Sequence, residues 1–170
     1  MKCADNREEL FPVVDAAGRV VGRGECQGGS MLLHPVVHLH LFNSCGELYL
    51  QKRPAWKDIQ PGRWDTAVGG HVDWGEEPLA ALRREVREEV GVTDFEPQHV
   101  LTYLFESERE RELVYVYKTV YDGPVVPSGE LDGGRFWTLR EIAEGVGGGI
   151  FTPNFEGEIR RVAELPDVGR

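Results

Sequence analysis

Residues 69–92 read GGHVDWGEEPLAALRREVREEVGV, and this stretch constrains the fold more than any other part of the chain. Pro78 suits the first turn of a helix and Gly91 its C-terminal cap, while Leu79, Leu82, Val86 and Val90 recur at helical spacing between them. At about 100° per residue those four form one stripe, and Glu85, Glu88 and Glu89 fall on a neighbouring arc. Three carboxylates therefore converge on one side. Like charges at these spacings repel, and more strongly when partly buried. Arg84 lies one turn before Glu88 and Arg87 lies on the far side, so the arginines relieve only part of the repulsion. A solvated charged face is the ordinary meaning of such a run in isolation. An oxygen-rich cluster is also what a hard divalent cation needs.

The rest of the chain frames this helix. FPVVDAAGRVVGRGE (11–25) reads as a β-hairpin, CQGGSMLLH as a loop, and residues 36–53 as a second hairpin turning at Gly46. PAWKDIQPGRW is a long loop, followed by a short strand around Asp65 to Val68 and a turn at Gly69-Gly70. Two strands, antiparallel to each other, are expected over 99–122. GPVVPSGELDGG is a loop, FWTLREIAEGV passes from strand to short helix, and residues 154–165 carry the apolar spacing of a final helix. Gly147-Gly148-Gly149 separates the last two helices. Strands and helices interleave without regular βαβ alternation, which favours a mixed sheet flanked by helices.

At 170 residues the chain can bury one substantial core. Its formal charge of -10 disfavours nonspecific binding to nucleic acid or anionic membranes, and an anionic ligand would call for a mediating cation. Cys3, Cys26 and Cys45 show no CxxC pairing, so neither a disulfide framework nor a structural zinc site is indicated. A cytoplasmic protein without a targeting or membrane-spanning segment is expected.

Gly70, Glu76, Arg84, Glu85, Val86, Glu88, Glu89, Gly91 and Val92 together spell G-x5-E-x7-R-E-U-x-E-E-x-G-U, with U aliphatic. This resembles the Nudix hydrolase signature at every defined position. The resemblance implies an α/β fold, a Nudix-type α/β/α sandwich with a mixed β-sheet, to which the N-terminal hairpin is an extension. It implies a single domain over 1–170, with the hairpin extension in 1–30 and the signature loop-helix-loop at 69–92. It further implies that Glu85, Glu88, Glu89 and the Gly69 carbonyl hold Mg²⁺ or Mn²⁺, and that Gly70, Glu76 and Arg84 orient the helix and its carboxylates. The implied reaction is water attack on phosphorus, cleaving a diphosphate linkage in a nucleotide or nucleoside diphosphate conjugate. The general base is Glu88 or Glu89 on the helix, or Glu112 or Glu130 beyond it, with Arg84 in the catalytic group. Arg53, Lys57, Arg63 and His71 are candidates for substrate binding. The expected partner is a small-molecule diphosphate, with neither nucleic acid nor membrane, and the exposed edges of the hairpin suggest a homodimer.

A closer resemblance extends over LLHPVVHLHLFNSCGELYLQKR, PGRWDTAVGGH and ERELVYVY to the Nudix branch that includes isopentenyl diphosphate isomerase and its hydrolase-like relatives. His34 and His71 stand where those isomerases place metal-binding histidines, and Glu110-Arg111-Glu112 resembles their paired acids. The isomerases carry a catalytic cysteine at the position that is Gly69 here, and glycine supplies no acid or base. Hydrolysis is therefore preferred to isomerisation and to a noncatalytic nucleotide-binding role. His34, His38 and His40 share parity in a strand and so line one face; packing or solvent contact is preferred to a zinc trio for them. Trp64 is expected in the core, and Phe155 either lines the substrate wall or anchors the last helix.

Overall fold

The computed structural model describes residues 10–25, 32–57 and 59–169. Strand β3 (Leu33–Phe42) organises the molecule. Alternate side chains of a strand face opposite ways. Val37, Leu39 and Leu41 pack against Ala81, Leu82, Val86 and Val90 of helix α1 (Pro78–Val90). Val36, His38 and His40 face the opposite layer, where Val36 meets Val114 and Val116. A strand covered on both faces reads as almost continuously apolar, which is why β3 shows little alternation.

One edge of β3 pairs in parallel with β8 (Arg111–Val120) along its whole length, and β8 pairs antiparallel with β7 (Gln98–Glu106). The other edge is shared. β4 (Leu48–Lys52) joins β3 at Phe42↔Leu48, whereas β6 (Val68–His71) pairs with it from Val36↔His71 to Leu39↔Val68. β4 then pairs with β5 (Trp64–Thr66) and with β9 (Gly134–Trp137), completing a mixed seven-stranded sheet. Helix α2 (Leu139–Gly145) and helix α3 (Pro153–Val162) supply the layer opposite α1. There Ile142, Phe151, Phe155 and Ile159 bury against Leu48, Leu50 and Trp137. The expected α/β/α arrangement with a mixed sheet is the one observed.

The N-terminal hairpin, β1 (Leu10–Val14) and β2 (Val20–Glu25), forms a separate two-stranded sheet. Val14 packs on Leu33 and Leu113, and Trp74 donates its backbone N–H to the Leu10 carbonyl at 3.2 Å. Residues 26–31 of the expected loop, and Cys3 and Cys26, lie outside the described residues, while Cys45 is an exposed free thiol. Among the described residues no helix is long and apolar enough to cross a membrane.

Four local expectations change. The single short strand around Asp65 to Val68 is two strands, separated at Ala67. Gly69 and Gly70 form no turn but lie inside β6, because the Glu85 carboxyl packs where a Cβ on Gly70 would sit. β3 begins before residue 36 and includes Pro35, which the sheet tolerates because β6 pairing starts only at Val36. Leu79 is 43% exposed, and Ala81 takes its place in the buried stripe. Gly147 and Gly149 take positive φ of 81° and 79° and separate α2 from α3 as expected.

Phe155 is fully buried, 5.2 Å between ring centroids from Phe151, so it anchors α3 and lines no substrate wall. Truncating a buried phenylalanine removes transfer energy and leaves a cavity. Phe155→Ala is expected to lower stability by about 3–5 kcal/mol, read as a reduced urea midpoint at unchanged m-value.

Candidate active site

Arg84 is where the signature becomes three-dimensional. Its Nε and Nη2 donate to Glu76 Oε2 and Oε1, both at 2.9 Å, while Nη1 reaches Glu85 Oε1 at 2.6 Å and Nη2 also meets the His71 carbonyl at 3.0 Å. Asp73 and Glu88 stand farther off, at 3.3 and 3.6 Å. A planar guanidinium can serve several oxygens at once, which a lysine cannot. Its pKa is driven above the usual arginine value, chiefly by the Glu76 hydrogen bonds. The loop between β6 and α1 closes on itself as well, since Asp73 donates its N–H to Glu76 Oε1 at 3.1 Å. Four carboxylates around one guanidinium leave excess negative charge.

Glu85 is buried against Gly70. Glu88 sits on the exposed side of α1, and Glu89 accepts a hydrogen bond from the Gly69 N–H at 3.2 Å. Burial, and then the neighbouring Glu85 carboxylate, push the Glu89 pKa up to about 8. A nearby cation would reverse both effects. The loop after β8 runs past this helix end, with Ser128 N–H donating to the Glu89 carbonyl at 2.8 Å and Val126 N–H to that of Val90 at 3.0 Å. Glu130 follows in the same loop and is exposed.

A second group lies beyond the opposite face of β6. His34, His71 and Glu112 are all buried, with one ligand atom each lying within 4.8 Å of the others. Glu112 Oε1 is buried without a hydrogen-bond partner, 3.8 Å from His34 Nε2. Burial and then Glu110 push the Glu112 pKa up to about 7, whereas burial and then His34 bring that of His71 down to about 3. A neutral imidazole and an orphaned carboxylate oxygen are what a divalent cation takes as ligands, so this donor set fits a metal. Phe11 of the hairpin covers His34, ring centroids 5.2 Å apart.

The structure thus brings Gly69, Gly70, Glu76, Arg84, Glu85, Glu88 and Glu89 together around one end of α1. His71 spans both groups through its carbonyl and its ring, and Glu112 belongs to the histidine group. The basic loop residues have other contacts. Arg53 donates to the Ile59 carbonyl at 3.0 Å and approaches Asp65 at 3.8 Å, Arg63 donates to the Phe151 carbonyl at 3.3 Å, and the Lys57 ammonium lies 4.7 Å from the Trp56 ring centre. Trp64 is half-buried, edge-on to Trp137.

Two features went unread in the sequence. Asp73 joins Arg84, which the acid-rich loop could have signalled. His38, His40 and Tyr103 converge on the buried Glu158 of α3, and no local pattern marks that glutamate. Burial alone would lower the His38 pKa, but the Glu158 charge overrides it and raises it to about 9. The same pairing with His38 and His40 outweighs burial at Glu158 and holds its carboxyl well below the usual range.

The Glu89 shift has a measurable sign. A carboxyl with a native pKa near 8, against 4.5 when unperturbed, binds more protons folded than unfolded between those values. In chelator-treated protein its contribution therefore falls as pH rises through that window, by at most about 1.4 kcal/mol per pH unit. Glu89→Gln is expected to match native stability near pH 4.5 and to exceed it at pH 8, in urea melts with EDTA. Added Mg²⁺ is expected to stabilise the native protein more than the variant.

The NUDIX domain profile matches residues 32–155. Over 147 residues the chain is 31% identical to an isopentenyl-diphosphate Delta-isomerase of Serratia proteamaculans, covering 81% of this chain and 79% of that protein. It is 36% identical over 132 residues to an uncharacterized Nudix hydrolase of Pseudomonas aeruginosa, covering 75% and 78%. The crystal structure of DR0079 from Deinococcus radiodurans superposes with a TM-score of 0.79 at 24% identity, over 92% of this chain and all of that one, a likeness of fold. With its signature residues gathered around Arg84 and most of its length matched, the chain belongs to the Nudix family.

Proposed function

We propose that the chain, a Nudix-type pyrophosphohydrolase, is a divalent-metal-dependent hydrolase that cleaves a diphosphate linkage in a nucleotide or nucleoside diphosphate conjugate by water attack on phosphorus. The observation that carries this reading is the carboxylate group of α1 held against β6 by Arg84. Glu85, Glu88, Glu89 and the Gly69 carbonyl form an oxygen-rich donor set of the kind Mg²⁺ or Mn²⁺ takes. When bound, such an ion neutralises phosphate charge and makes water a better nucleophile.

The protein's own residues do the rest. Arg84 and Glu76 fix the carboxylate directions, and Gly70 leaves the space into which Glu85 packs. Glu88, Glu89, Glu112 and Glu130 are the candidates to take the proton of the attacking water, and a Glu→Gln series at these positions sorts ligand from base. His71 and the loop bearing Arg53, Lys57 and Arg63 are assigned to substrate contact, with His71 the best placed.

The buried His34, His71 and Glu112 group favours a second reading, an isomerase-like enzyme, since one relative carries the name isopentenyl-diphosphate Delta-isomerase. Gly69 weighs against it, because a residue without a functional group cannot move a proton on a carbon skeleton.

The deciding experiment is phosphorus NMR with Mg²⁺ and a panel of nucleoside di- and triphosphates, nucleotide sugars, ADP-ribose and dinucleotides. Native protein is expected to cleave one class. Glu88→Gln and Glu89→Gln are expected to lose at least about 100-fold in turnover while keeping the native circular dichroism spectrum. Near-native turnover in both would remove the metal assignment. His34→Ala is expected to keep turnover within a few-fold, and conversion of isopentenyl to dimethylallyl diphosphate without phosphate release would establish the isomerase instead.

A further inference from the structure

Glu158 projects from α3 against the inner side of β3, where its carboxylate accepts hydrogen bonds from three side chains. His38 Nδ1 lies 2.9 and 3.2 Å from its two oxygens, His40 Nε2 lies at 2.7 Å, and the Tyr103 hydroxyl at 2.6 Å. A carboxylate only accepts, so both imidazole nitrogens that face it carry protons. His40 Nδ1 is buried with no partner, which costs least as a bare lone pair, so His40 is neutral. The countercharge to Glu158 therefore resides on His38, whose Nε2 is also protonated.

That second edge of His38 is open. The side chain is 16% exposed and faces Gly69, where an added Cβ would lie 3.3 Å from the ring Cδ2 and 3.6 Å from Nε2. Because residue 69 is glycine, no side chain fills the space between the imidazole and β6. The Arg84 fork is already engaged by Glu76, Glu85 and the His71 carbonyl, and Arg53 and Arg63 donate to backbone carbonyls. A diphosphate placed over β6 would otherwise meet Asp65, Glu89 and Glu112.

We propose that His38 contacts the substrate, donating from Nε2 to a phosphoryl oxygen bound over Gly69, and that Glu158 and Tyr103 are positioning residues acting through it. This rests on the hydrolase reading above for the presence of a diphosphate at β6. It adds the one cationic donor on that strand face which points into the site, held by a carboxylate as an orienting group holds a catalytic imidazole. The contact requires no covalent step.

The test is binding of inorganic pyrophosphate in the presence of Mg²⁺, followed through the long-range ¹H–¹⁵N signals of the histidine rings. In native protein the His38 Nε2 signal is expected to shift saturably while that of His40 stays in place. His38→Phe is expected to weaken pyrophosphate about tenfold, the loss of one charge-assisted hydrogen bond. His38→Gln, which keeps a donor, is expected to recover part of that loss. Binding without a His38 shift, equal affinity in folded His38→Phe, or no pyrophosphate binding by native protein would each overturn the proposal. Turnover is read separately by phosphorus NMR. A His38 shift with no substrate cleaved would sink hydrolysis and leave the contact standing, and cleavage without the shift would do the reverse.

Discussion

The Arg84 guanidinium is the interaction on which the rest of the site depends. It joins three segments that chain connectivity alone would leave free to vary: the end of β6 through the His71 carbonyl, the following loop through Glu76 and Asp73, and α1 through Glu85 and Glu88. A partly buried charge of this kind is costly unless every donor is used, and here the fork is matched to oxygens on both branches. The same residue leaves the cluster under-neutralised, so the arrangement that orders the acids also creates their demand for a cation. Positioning and metal affinity thus have one source.

Sheet geometry decides what lies on each side of that hub. Gly70 faces α1 and admits Glu85, while Gly69 and His71 face the layer that holds His34, His38 and Glu112. β4 and β6 share one edge of β3 at opposite ends, so the backbone of β6 near Gly69 remains reachable by Glu89. Two groups of ionisable side chains are therefore held back to back across one four-residue strand.

What could be read from the sequence was mainly what is local. The signature helix, its cap at Gly91 and the acids on one side depend on spacings of three and four residues, and these carry over into the structure. The hairpin around Asp15 and Gly18 and the glycine break before α3 were legible for the same reason. Glycine at 69 and 70 misled, because the residue that ordinarily marks a turn is here required inside a strand by the volume of Glu85. Leu79 matched the helical period, yet the period says nothing about how far the sheet extends beneath the first turn. Glu158 could not be assigned at all, since its partner His38 lies 120 residues away and only the packing of α3 on β3 brings them together.

The short strand β6 carries a consequence for how such a chain can change. Because neighbouring residues point to opposite faces, a one-residue slip or deletion before His71 would exchange the occupants of both faces at once. It would set a bulky imidazole where Glu85 needs empty space and withdraw it from Glu112. Loops that select a leaving group can lengthen and drift, but the spacing from Val68 to His71 is locked from two sides. Substrate range is free to diverge around a strand whose length is not.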